Sequence, residues 1–101
     1  MEKQEITGLS ELNIEQIKQV IASFPEISKV LLFGSRAIGT YRPNSDIDLC
    51  LYGEHLNLTL LNRLEEKLDD LLLPYRFDLL VHSRIKNADF LEHIALFGKE
   101  F

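Results

Sequence analysis

VLLFGSRAIGTYRPNSDIDLCLY, residues 30–52, holds two apolar runs separated by glycine, proline and asparagine. The first run, with Lys29 added, reads as a strand over Lys29–Phe33: it is short, continuous and β-prone. The second run, Asp46–Tyr52, alternates. Ile47, Leu49 and Leu51 point one way; Asp46, Asp48, Cys50 and Tyr52 point the other. Between them, Gly34-Ser35 turns the chain out of the first strand. Ser35–Thr40 has room for one or two helical turns, and Tyr41-Arg42-Pro43-Asn44 is loop chemistry. So short a connection favours an antiparallel pair.

Outward from this centre the pattern becomes helical on both sides. Upstream, Ile14, Ile17, Val20, Ile21 and Phe24 form one stripe ended by Pro25. Asn13 is the expected cap, with Gln16 completing a capping box and Leu12 and Ile17 a hydrophobic staple. Downstream, Leu58–Leu73 places Leu61, Leu64, Leu68, Leu71 and Leu72 on one face, and Pro74 closes the helix. Tyr75–Val81 alternates as a third strand, with Asp78 interrupting its apolar residues. A last helix runs from a cap at Asn87 to Phe97, with Gly98 placed to stop it. The order is α-β-α-β-α-β-α. It predicts an α/β (α+β) domain: a small mixed sheet of three or more strands with helices packed on one side. Residues 1–101 form one domain, of which residues 1–11 are polar and expected to be flexible. Phe90, Leu91, Ile94, Phe97 and Phe101 suit core packing better than an interface, because so small a domain needs that surface.

Composition narrows the function classes. The 101 residues are 46% hydrophobic and 27% charged, as in an ordinary globular protein. No apolar run approaches the roughly 20 residues of a membrane span. The first residues lack the apolar core of a signal peptide, and the single cysteine, Cys50, excludes an internal disulfide. The expectation is a cytoplasmic protein. A net charge of −5 with scattered basic residues disfavours a polynucleotide template, which phosphate contacts would dominate.

The chemistry sits around the glycine turn. Gly34 can adopt backbone angles that other residues resist and has no side chain to obstruct a phosphate. Ser35 can cap the following turn or donate to a phosphate oxygen, and Arg36 adds a cation. Asp46 and Asp48 share a strand face about 7 Å apart, at two steps of roughly 3.3 Å. That width suits one divalent cation, or a pair roughly 3.5–4 Å apart. Asp78 breaks a strand that can lie alongside, and three carboxylates on one surface are costly without Mg²⁺. These parts suit nucleotidyl transfer: Asp46 and Asp48 hold metal, and Asp78 helps bind a second ion and accepts the proton of the attacking hydroxyl.

Other chemistries lack their residues. No phosphate loop with Gly-Lys-Ser/Thr is present, and no Gly-x-Ser-x-Gly elbow. His55, His82 and His93 are not at zinc-ligand spacing with Cys50 and read as surface or satisfied side chains. Cys50 reads as a small packing residue.

The run Phe33–Leu49, FGSRAIGTYRPNSDIDL, resembles the signature of the minimal nucleotidyltransferases of the DNA polymerase β superfamily. The likeness spans roughly Val30 to Val81. It implies that Gly34, Ser35, Arg36 and Ser45 contact the nucleotide, and that Asp46, Asp48 and Asp78 are the catalytic carboxylates that hold two Mg²⁺ ions. Many members carry a second arginine where this chain has Ile38, so Arg36 alone, or Arg42 in substitution, would serve the phosphates. ATP or another nucleoside triphosphate is the implied substrate. Minimal members are typically paired with a separately encoded helical-bundle protein, a HEPN-type toxin or a substrate-binding subunit. The resemblance therefore implies AMP transfer to a partner's hydroxyl with release of pyrophosphate, in a homo- or hetero-oligomer. The alternative is a nucleotide-binding antitoxin or regulatory subunit that turns over little and acts by occluding its partner.

Overall fold

A computed structural model describes residues 8–101. Helix α1 spans Glu11–Ala22, strand β1 Lys29–Phe33, and the single-turn helix α2 Ser35–Ile38. Strand β2 follows at Ile47–Tyr52, helix α3 at Leu58–Asp69 and strand β3 at Phe77–Val81. A 3₁₀ turn at His82–Arg84 leads to helix α4, Ala88–Phe97, and to a short strand β4, Lys99–Glu100.

The sheet is mixed, in the order β3-β2-β1-β4. β1 runs antiparallel to β2, as the short connection requires, and β2 runs parallel to β3. Central β2 is built by its alternation. Ile47, Leu49 and Leu51 are completely buried on one face, where α1 and α3 cover them with Ile17, Ile21, Leu60, Leu64 and Leu68. The expectation of helices on one side holds for these two. Helix α4 departs from it: Ile94 joins Phe33 and Cys50 in a second cluster on the opposite face. Phe33 and Leu31 point away from Val30 and Leu32, so β1 has an apolar residue to bury on each side. The smaller helix covers part of the second face.

Several boundaries differ from the sequence reading for local reasons. Ser10, not Asn13, caps α1; its Oγ accepts the Asn13 N–H at 3.0 Å. Leu12 is exposed, and the staple positions fall on Leu9 and Ile14, both in the main core. Leu9 lies within the segment expected to be flexible, yet it is buried; residues 1–7 of that segment lie outside the described residues. Helix α3 ends at Asp69, short of Pro74. Leu72 sits at φ 58°, 88% exposed, and the buried stripe is Leu60, Leu64 and Leu68 instead.

At the far end of the chain Ile94 is buried and Phe90 and Phe101 pack on the core, but Phe97 is 48% exposed. β4 had no signature in the sequence: Lys99 and Glu100 are polar and become a strand by pairing with Leu32 and Leu31 of β1.

Candidate active site

The glycine turn and the acidic strand meet because of how β1 and β2 pair. Phe33 stands opposite Asp48, so Gly34, one residue on, leaves the sheet beside the Asp48 side chain. Gly34 has φ 76° and ψ −158°, a region essentially reserved for glycine. A Cβ there would collide with Asp48 Oδ2. The absent side chain makes the space in which that carboxylate rests. Ser35 opens α2, and its carbonyl accepts the N–H groups of Gly39 and Thr40, each at 3.0 Å.

The parallel register of β2 with β3 sets Asp48 opposite Asp78, on the face that carries Cys50 and Leu80. Asp48 is half-buried; Asp46 and Asp78 are exposed. Burial first, then Asp78, then Asp46, push the Asp48 carboxyl up from its ordinary 3.8 to about 6, while Arg36 pulls it down. Asp48 therefore feels both of the other carboxylates. The three are not gathered into a ready coordination set: among the described residues, no three His, Cys, Asp or Glu side chains are arranged to hold a metal ion. In donor chemistry the residues fit a hard divalent cation, which takes carboxylate oxygens and would relieve the repulsion that raises Asp48.

Arg36, expected at the phosphates, has its guanidinium held within the loop. It is 1% exposed. Its Nε donates to the Ser45 carbonyl at 3.2 Å, and Nη2 donates to the carbonyls of Ser45 at 3.0 Å and Pro43 at 3.4 Å. The guanidinium also lies over the rings of Tyr41 and Tyr75. Ser45 is likewise engaged in the loop. Its Oγ accepts the Arg42 N–H at 2.7 Å, and its own N–H donates to the Arg42 carbonyl at 2.9 Å. Tyr41 and Tyr75 escaped the sequence reading, since nothing local marks an aromatic ring as the cover for a distant arginine. Gly8 belongs to the same knot; a Cβ there would run into the Tyr41 ring and Arg36.

The remaining polar candidates have packing roles. His82 stacks on Tyr52 at 4.3 Å, and His93 tilts against Phe97 at 5.0 Å. Cys50 is completely buried between Phe33 and Ile94. No described helix is long and apolar enough to cross a membrane.

The mixed sheet thus sets a glycine turn against Asp48, with Asp78 facing it from the next strand. The profile of the family described as "Polymerase beta, Nucleotidyltransferase" matches residues 15–101. The chain belongs to that family of nucleotidyltransferases. Among solved structures, it is similar to a chain of a toxin–antitoxin complex with AMP-PNP, at 28% identity and a TM-score of 0.69, covering 91% of this chain and 72% of that one. It also shares its fold with a chain of the toxin–antitoxin MntA-HepT, at 22% identity and a TM-score of 0.66, with 90% and 70% covered. A third similar structure is the tri-AMPylated Shewanella oneidensis HEPN toxin in complex with its MNT antitoxin, at 22% identity and 0.65, with 91% and 71% covered. No curated protein sequence matches the chain.

Proposed function

We propose that the protein transfers AMP from ATP to a hydroxyl presented by a separate helical partner of the HEPN type, releasing pyrophosphate. The observation that carries this reading is the Asp48–Asp78 register beside Gly34. The similar structures support the partner class, since their complexes join an antitoxin to a toxin, in one case AMPylated.

Asp46, Asp48 and Asp78 would hold Mg²⁺, with two ions as the expected complement. When bound, the metal would neutralise triphosphate charge and polarise the α-phosphorus toward attack. Gly34 leaves the turn open so that its backbone and Ser35 can meet the β- and γ-phosphates. Asp78, the more exposed of the facing pair, takes the proton from the acceptor hydroxyl. The acceptor oxygen bonds to the α-phosphorus, the bond to the bridging oxygen breaks, and pyrophosphate carries away that electron pair.

The test is labelled ATP with Mg²⁺, with and without the protein encoded beside this one. Label on the partner that disappears with Asp46→Ala supports the reading. Tight partner binding that survives that substitution, with no label transferred, supports an occluding module instead.

A further inference from the structure

We infer that Arg36 is a positioning residue: its buried guanidinium fixes the two carboxylate-bearing strands relative to each other and so sets the affinity of the acidic site for a divalent cation. The inference rests on the site reading above and adds a residue to it.

A buried guanidinium demands partners, and those it takes are informative. Its donors converge on the Ser45 and Pro43 carbonyls, and Ser45 immediately precedes Asp46. Its Cζ lies 4.8 Å from the ring centre of Tyr75, on the segment leading into β3 and Asp78. At the same junction the Ile47 N–H donates to the Arg76 carbonyl at 2.8 Å. Arg36 itself stands in α2, directly after Gly34 and Ser35. One planar group thus touches the loop that carries Asp46 into β2 and Asp48, and the segment before β3 and Asp78, from an anchor on the glycine turn.

This matters because the carboxylates repel each other, and only a stiff frame keeps them facing when no cation is bound. Partners that orient a ligating carboxylate typically affect metal affinity by about 10–100-fold. Lysine cannot replace the fork, since one ammonium on a flexible stem does not serve several fixed acceptors and two ring faces.

The experiment is Mn²⁺ binding without nucleotide, followed by electron paramagnetic resonance and calorimetry, on the wild type and on Arg36→Lys, Tyr75→Leu and Tyr75→Phe. Arg36→Lys is expected to weaken Mn²⁺ binding by about tenfold or more. Tyr75→Leu is expected to weaken it in the same direction, while Tyr75→Phe, which keeps the ring, matches the wild type. At saturating metal the KM for ATP stays unchanged in all three. If Arg36→Lys does not fold, the contrast between Tyr75→Leu and Tyr75→Phe decides. Wild-type affinity for Mn²⁺ in Arg36→Lys, or in Tyr75→Leu where that contrast decides, overturns the inference. So does a raised KM for ATP with metal affinity unchanged, since that is the mark of a phosphate contact. A wild type that binds no Mn²⁺ overturns the site reading itself, a separate failure.

Discussion

Asp48 and Asp78 stand opposite each other on adjacent parallel strands, on one face of the sheet. Like charges so placed oppose folding, and aspartate is disfavoured in strands in any case. The fold tolerates the pair while burying Ile47, Leu49, Cys50 and Leu51 of β2 completely. The local cost and the proposed chemistry reside in the same atoms.

Asp48→Asn separates the two. Removing the charge keeps the shape and relieves the repulsion, so the metal-free protein gains stability, by about 1 kcal/mol after discounting for solvent screening. Nucleotide transfer falls roughly 10³-fold if the metal supplies about 4 kcal/mol of barrier lowering. Thermal melts in chelator and transfer assays check the two halves. A variant that turns over at the wild-type rate removes Asp48 from the mechanism.

The same repulsion predicts a pH dependence. The folded protein raises the Asp48 carboxyl from 3.8 to about 6, so between those values the native state holds more protons than the unfolded chain. The Asp48 contribution to stability therefore declines as pH rises from about 4 to about 6 and levels off above that. Melts in chelator across this window, compared with Asp48→Asn, isolate the effect. The difference between the two proteins should vanish toward pH 4 and widen toward pH 7. A divalent cation should displace the proton, so its binding weakens as pH falls below about 6.

Cys50 shares the aspartate face but belongs to the core. Burial, its largest influence, pushes its thiol above the ordinary range, ahead of the opposing effects of Tyr52 and Lys29. Raised and enclosed, it should resist a thiol-labelling reagent in the native state and react only on unfolding. Cys50→Ala should retain transfer activity at a stability cost of roughly 1 kcal/mol. Rapid labelling of the folded protein would contradict that placement.

What the sequence revealed follows from how local each cause was. Strand β1 was legible to the residue, because Lys29 and Gly34 bracket an apolar run, and Asn87 was legible as the cap of α4. Alternation made the outward face of Asp48 and Asp78 legible, whereas Asp46, expected to open the second strand, falls just before β2. Other features depend on distant partners. Ser10 and Asn13 both have capping chemistry, and the burial of Leu9 chooses Ser10. β4 is a strand only because β1 offers it an edge. Arg36 beside a glycine turn suggests a phosphate contact; its burial under Tyr75 comes from a ring far along the chain.

Leu72 explains why α3 stops short and makes a prediction free of the chemistry. A β-carbon at φ 58° is strained, and at 88% exposure the side chain recovers little by packing. Leu72→Gly removes the strain and gives up some unfolded-state restriction, so the net gain is about 0.5–1 kcal/mol. Denaturant melts should show a higher midpoint with an unchanged slope. A lower midpoint would mean that the exposed leucine stabilises the fold through a contact the structure lacks.

Gly34→Ala tests the turn and the carboxylate together. Alanine is strained at φ 76° and ψ −158°, a cost of about 1–3 kcal/mol. Its Cβ also needs the space that Asp48 Oδ2 occupies, so the carboxylate must swing away or the turn must shift. Either response moves the acidic group from the place where phosphate and cation would meet. Loss of transfer should therefore exceed loss of stability, with both Mn²⁺ and ATP bound more weakly. The double variant Gly34→Ala with Asp48→Asn keeps the backbone strain but loses the charge. It should recover part of the stability and none of the activity. If Gly34→Ala alone retains wild-type transfer, the close approach of turn and carboxylate has no part in the reaction.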